Sequence, residues 1–203
     1  MGKVTDRGTA RVFGPSALLT PANIVTLIRI VCSPIAFTMM ITDENQSSWP
    51  LALVWFLLSS SDFVDGTLAR KFGTTRSGAF LDPLADKVLV LGGMAAMCWT
   101  GRWPWMVFVV IALREVAVSW FRSSYVSRGL AVPASELAKW KTFLQQAAIG
   151  WVTLPLTRSL NWLADITLWI GIGLAIVSAA QYFWAGSNAA TSMVGDPTPE
   201  HKE

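Results

Sequence analysis

Four aspartates carry the most informative chemistry in this chain. Asp62 and Asp65 stand three residues apart, and Asp82 and Asp86 four apart. On a helix, spacings of three and four put side chains on one face, so each pair reads as a carboxylate surface. Gly66 lies one turn after Asp62, and Gly78 one turn before Asp82. A missing side chain at such places lets a ligand or a neighbouring backbone come close. The short stretch between the pairs predicts two antiparallel neighbouring helices with their acids facing each other. Four carboxylates so packed cannot all remain ionised without cations. Two hard divalent ions with oxygen ligands from Asp62, Asp65, Asp82 and Asp86 would satisfy them. Proton or ion transport is the competing chemistry, and a hydrated polar face is the plain alternative.

The elements that must position these acids are membrane helices. Of 203 residues, 53% are hydrophobic and 14% charged, against about 25% charged in soluble domains. Residues 142–157 and 166–195 contain no Asp, Glu, Lys or Arg, and roughly 20 apolar residues cross a bilayer. The expected fold is all-α, a polytopic membrane protein with six spans near residues 20–41, 49–70, 78–100, 105–125, 137–156 and 162–184. Residues 1–19 read as a juxtamembrane segment without a cleavable signal. Residues 20–185 form the membrane domain, and residues 186–203 are expected to be a disordered tail. Trp49, Trp105, Trp162 and Trp184 fall near span ends, as in an interfacial aromatic belt. Cys32 and Cys98 lie in apolar runs and read as small buried hydrophobes.

Charge placement sets the orientation. With six spans, the termini and the loops after spans two and four share one side, which carries eleven Lys and Arg; the other side holds Arg102 and Arg158. Both termini are therefore expected in the cytoplasm. The net charge of +3 points to anionic lipid rather than nucleic acid, because the basic residues sit between apolar runs. Arg29, Lys87, Arg114 and Glu115 remain inside spans, where charges usually mark a site. Arg29 has an alternative in snorkelling to the interface, and Arg114 in pairing with Glu115. A transporter usually shows inverted repeats, and a channel rings of like charge; neither pattern is present.

The stretch Asp62-Phe-Val-Asp65-Gly66-Thr-Leu-Ala69-Arg70, followed by Gly78-Ala-Phe-Leu-Asp82-Pro-Leu-Ala-Asp86, resembles the signature of the CDP-alcohol phosphotransferases. Seven residues, Lys71–Ser77, separate Arg70 from Gly78, one fewer than the pattern is often written with. Around it, Asn23-Ile-Val-Thr26-Leu-Ile-Arg29, Leu81–Lys87, Arg114-Glu115 with Arg122, and Lys139-Trp-Lys141-Thr142 are similar to the branch that uses glycerol 3-phosphate. The resemblance covers roughly residues 20–160. It implies transfer of a phosphatidyl group from CDP-diacylglycerol to an alcohol, with release of CMP, at a cell-membrane site facing the cytoplasm. It further implies two divalent cations, Mg2+ or Mn2+, on the aspartates, Asp86 as general base, and a homodimer. The CDP-lipid would lie against Asn23, Thr26, Arg29, Asp62, Asp65, Gly66, Ala69, Arg70 and Gly78.

An acceptor that carries phosphate needs fixed cations. Arg114 and Arg122 are eight apart, within roughly 80° of each other around a helix. Lys139 and Lys141 open span five, where the positive end of the helix also favours phosphate. These four residues fit glycerol 3-phosphate better than serine or choline. Enzymes of the same fold that make phosphatidylinositol phosphate or cardiolipin are the alternative, since their acceptors also carry phosphate.

Overall fold

A computed structural model describes residues 20–72, 75–127 and 136–194. It is all-helical over these residues: α1 (Pro21–Thr42), α2 (Trp49–Phe72), α3 (Arg76–Trp99), α4 (Trp105–Ser127), α5 (Glu136–Thr153), a 3-10 turn (Pro155–Thr157) and α6 (Asn161–Val194). The expected juxtamembrane segment 1–19, the loop 128–135 and residues 195–203 lie outside the described residues. α6 continues through residues 186–194, part of the stretch expected as tail. Alanine favours helix, and no proline intervenes before Pro197.

The helix ends follow local chemistry. Thr20 caps α1, its hydroxyl accepting the Asn23 amide at 3.1 Å, with Pro21 opening the helix. Thr75 caps α3 in the same way through the Gly78 amide at 3.1 Å. Such caps satisfy amides that the first turn leaves without partners. α3 stops at Gly101, which takes φ +76°, a left-handed conformation natural to glycine. Pro104 then precedes α4.

α1, α2 and α6 are long and apolar enough to cross a membrane. α3, α4 and α5 are of similar length but are interrupted by the charges of the site. Large apolar side chains including Val31, Phe56, Trp120 and Trp169 lie exposed on the outer faces. A soluble protein does not sustain so much apolar surface, and the chain is membrane-embedded. Trp49, Trp105, Trp162 and Trp184 are all exposed.

The arrangement corrects one expectation. α2 and α3 barely touch, and α1 packs against both. A polar stripe on α1, Asn23, Thr26, Arg29 and Ser33, is buried at helical spacing. Thr26 and Arg29 find partners in the acids of α2 and α3, Asn23 in the hydroxyls of Thr75 and Ser77, and Ser33 in the Arg29 carbonyl. Behind the site, Trp55 donates its indole N–H to the Gln146 carbonyl at 3.1 Å. A Cβ on Gly93 would come within 2.8 Å of that ring. Far from the acids in sequence, Asp165 binds Arg102 at 2.7 Å and the Trp103 indole at 2.8 Å.

Candidate active site

The four aspartates gather around a single guanidinium. Arg29 is 1% exposed. Its Nη2 lies 2.5 Å from Asp65, and its Nη1 lies 3.1 Å from Asp86 and 3.4 Å from Asp62. Its Nε donates to the Ser61 hydroxyl at 2.8 Å. Thr26 joins the remaining acid to the group: its hydroxyl is 3.1 Å from Asp65 Oδ2 and 3.0 Å from Asp82 Oδ1. One hydroxyl proton serves one acceptor at a time, so Thr26 spaces the two carboxylates while bonding to either. Arg29 therefore pairs inward with the acids rather than snorkelling to the interface.

The acids differ in access. Asp65 is buried, whereas the side chains of Asp62 and Asp86 are 47% and 35% exposed. One guanidinium cannot neutralise four carboxylates, and the donor oxygens are of the hard kind that Mg2+ and Mn2+ prefer. The chemistry of the donor set thus fits divalent cations. With Arg29 between them, no three acidic, histidine or cysteine side chains among the described residues stand as a metal-holding group.

Asn23 donates its side-chain amide toward Ser77 at 3.2 Å and Thr75 at 3.4 Å. It packs so closely that a Cβ on Gly78 would lie 2.8 Å from its Oδ1. Gly78 is thus needed for protein packing. At Gly66 a Cβ would meet nothing within 4 Å, so open space adjoins the acids. Ala69 and Arg70 on α2 and Arg122 on α4 were expected site residues; their side chains lie outside the described part.

The basic residues separate into two kinds. Arg114 donates to Glu115 at 2.9 Å, to the Ala175 carbonyl at 3.1 Å and to the Ser178 hydroxyl at 2.6 Å. It ties α4 to α6, which favours the pairing alternative over a freely offered phosphate ligand. Lys141, 5% exposed, also binds Glu115. Lys139, two residues away, is exposed. Lys87 is an intramembrane charge to which the sequence alone assigns no role. It bonds Ser119 at 2.6 Å and lines a cavity of about 210 Å³ with Asp86, Arg114, Glu115, Lys141 and Gln145. Its signal in the sequence is a cation inside a membrane span, directly after an acid of the cluster.

The cavity thus starts at an acid of the cluster and runs among cations of α3, α4 and α5, an arrangement suited to a small anion with a reacting group at one end. The family model for CDP-alcohol phosphatidyltransferase matches residues 19–177. A probable phosphatidylglycerophosphate synthase of Mycobacterium tuberculosis is 34% identical over 178 residues, covering 86% of this chain and 85% of the relative. A CDP-diacylglycerol–glycerol-3-phosphate 3-phosphatidyltransferase of Bacillus subtilis is 34% identical over 79% of this chain and 92% of its own length. A protein of that same name from Haemophilus influenzae is 31% identical, with coverage of 78% and 88%.

Proposed function

Because the chain belongs to the CDP-alcohol phosphatidyltransferase family, we propose that it serves phospholipid biosynthesis as a CDP-diacylglycerol–glycerol-3-phosphate 3-phosphatidyltransferase. It transfers the phosphatidyl group of CDP-diacylglycerol to sn-glycerol 3-phosphate, giving phosphatidylglycerophosphate and CMP. The names of its relatives support this acceptor. The observation that carries it is the cavity beside Asp86, where Lys87, Arg114 and Lys141 surround a space suited to a small phosphate ester. Three cations face only Asp86 and Glu115 there, so a phosphate dianion suits the cavity better than zwitterionic serine or cationic choline.

In this reading the free primary hydroxyl of glycerol 3-phosphate attacks the phosphorus that bears the diacylglycerol. A P–O bond forms to the acceptor as the P–O bond to CMP breaks, and Asp86 takes the hydroxyl proton. Lys87 and Lys141 bind the acceptor's phosphate, with Lys139 at the opening. Arg114 fixes Glu115, which in turn holds Lys141. Asp62, Asp65, Asp82 and, at the edge, Asp86 would hold two divalent cations, Mg2+ or Mn2+, which when bound supply positive charge against the diphosphate. Arg29 and Thr26 together keep the four carboxylates gathered. Asn23, Thr26, Gly66, Gly78, Ala69 and Arg70 form the CDP-lipid side, with Gly66 opening space for the nucleotide. All six helices span the membrane with both termini and the acids on the cytoplasmic side, as the bias of basic residues favours, and two copies form a homodimer.

An acceptor panel tests the reading. Purified protein with CDP-diacylglycerol and Mg2+ should release CMP with glycerol 3-phosphate and far less with glycerol, serine or inositol phosphate. Chelation should abolish release, and Mg2+ or Mn2+ should restore it. Lys87→Ala should raise the acceptor's KM and leave that of CDP-diacylglycerol unchanged. Glycerol serving as well as glycerol 3-phosphate would overturn the acceptor, and full activity after chelation would overturn the metals.

A further inference from the structure

Gln145 is a residue of the cavity whose amide remains unused. Its side chain is buried at 1% exposure, it lines the cavity with Lys87, Lys141 and Asp86, and its Nε2 has no hydrogen-bond partner. A buried amide without a partner is costly and is rare in folded proteins. The side chain is also held in place. α6 approaches α5 at Gly171, where an added Cβ would lie 3.4 Å from Gln145 Cγ and 3.2 Å from Leu144 Cβ. The side chain is therefore fixed by packing along its stem, while the N–H groups of its amide have no partner in the protein.

The charge pattern shows which part of a ligand that is. The ammonium groups of Lys87 and Lys141 suit phosphate, and Asp86 suits the hydroxyl that loses its proton. Gln145 is neutral, so it suits a neutral oxygen. It follows Lys141 by one helical turn on the same face, roughly 6 Å further along α5. An acceptor whose phosphate rests on the lysines and whose attacking hydroxyl points to Asp86 presents its middle carbon to this wall. We propose that Gln145 is a specificity-determining residue that donates to the middle hydroxyl of the acceptor, selecting a 1,2-diol phosphate. This rests on the glycerol 3-phosphate reading above.

The test compares glycerol 3-phosphate with 3-hydroxypropyl phosphate, which lacks only the middle hydroxyl, in CMP release by the full-length protein with CDP-diacylglycerol and Mg2+. A site built around a hydroxyl discriminates strongly against an analogue without it. Wild type should favour glycerol 3-phosphate by roughly 5–150-fold in kcat/KM, the range for stranding one buried polar group. Gln145→Met, which keeps the length and removes the amide, should erase that preference. Because it also removes an unpartnered buried group, its unfolding midpoint without acceptor should rise. Gln145→Asn, with the amide drawn back, should lose most of the preference. Equal use of the two acceptors by wild type, or a full preference in Gln145→Met, would overturn the proposal. So would a Gln145→Met protein less stable than wild type, since that marks Gln145 as structural. No CMP release from glycerol 3-phosphate while another alcohol is used would instead remove the acceptor reading, and this proposal with it.

Discussion

Replacing Arg29 by Met probes what holds the acid cluster together. The side chain keeps its length and apolar stem but loses the charge that faces Asp62, Asp65 and Asp86. The three contacts are not equal. The pair with Asp65 is buried on both sides at 2.5 Å, and removing one partner of a buried pair costs about 3–5 kcal/mol. Asp62 and Asp86 keep 47% and 35% of their side-chain surface; such contacts contribute about 0–1 kcal/mol each. The expected loss is therefore about 3–7 kcal/mol, dominated by Asp65. Equilibrium unfolding in mixed micelles measures it, once with a chelator and once with saturating Mg2+. Divalent cations replace the missing charge, so the loss should be largest under chelation and should shrink in Mg2+. A loss under about 1 kcal/mol in chelator would place Asp65 outside the reach of the guanidinium and refute the charge accounting. An identical loss in both conditions would refute cation binding by these carboxylates.

Asp86→Asn should retain the fold and CDP-lipid binding while CMP release stops, because the change is nearly isosteric and removes the proton acceptor; turnover near the wild-type rate would assign the base elsewhere. The two glycines of the signature should part company on substitution by alanine. Gly78→Ala drives a Cβ to 2.8 Å from Asn23 Oδ1 and should cost about 1–3 kcal/mol of stability. A Cβ at Gly66 would meet nothing within 4 Å beyond its own stretch of helix, so Gly66→Ala should be at least as stable as wild type, by up to about 1 kcal/mol of helix propensity, and raise the KM for CDP-diacylglycerol instead. Arg114→Ala should lower the unfolding midpoint and impair both substrates together, since the side chain ties Glu115 to α6; a selective rise in the acceptor's KM would restore Arg114 as a direct phosphate ligand.

What the chain makes legible is local. The caps at Thr20 and Thr75, the left-handed turn at Gly101 and the proline before α4 are set by neighbouring residues, and the helices begin and end there as their chemistry requires. The grouping of the aspartates was legible from the spacings on α2 and α3, but the helix that joins them was not. Nothing in the short stretch between Arg70 and Gly78 says that α1 lies between the two helices. The spacing of Asn23, Thr26, Arg29 and Ser33 holds the clue, since four polar residues on one face of an apolar helix require polar partners. Arg114 was harder to assign because its partners Ala175 and Ser178 lie more than 60 residues away. Local periodicity carries no information on which turn of α6 meets which turn of α4. Gln145 sits in an uncharged run where an amide raises little alarm, and its importance emerges only once the cavity beside it is formed.

The position of α1 between α2 and α3 also bears on how the protein is born. Every residue that holds the acid cluster, from Thr26 to Asp86, lies in the first three helices, whereas Arg114, Glu115, Lys141 and Gln145 of the adjoining cavity come from α4 and α5. Synthesis delivers Arg29 before any of the four carboxylates. Asp62, Asp65 and Asp86 therefore follow a guanidinium partner that is already synthesised, and Asp82 follows the Thr26 hydroxyl. The acid cluster is thus fully synthesised before the cations that α4 and α5 add to the cavity have left the ribosome.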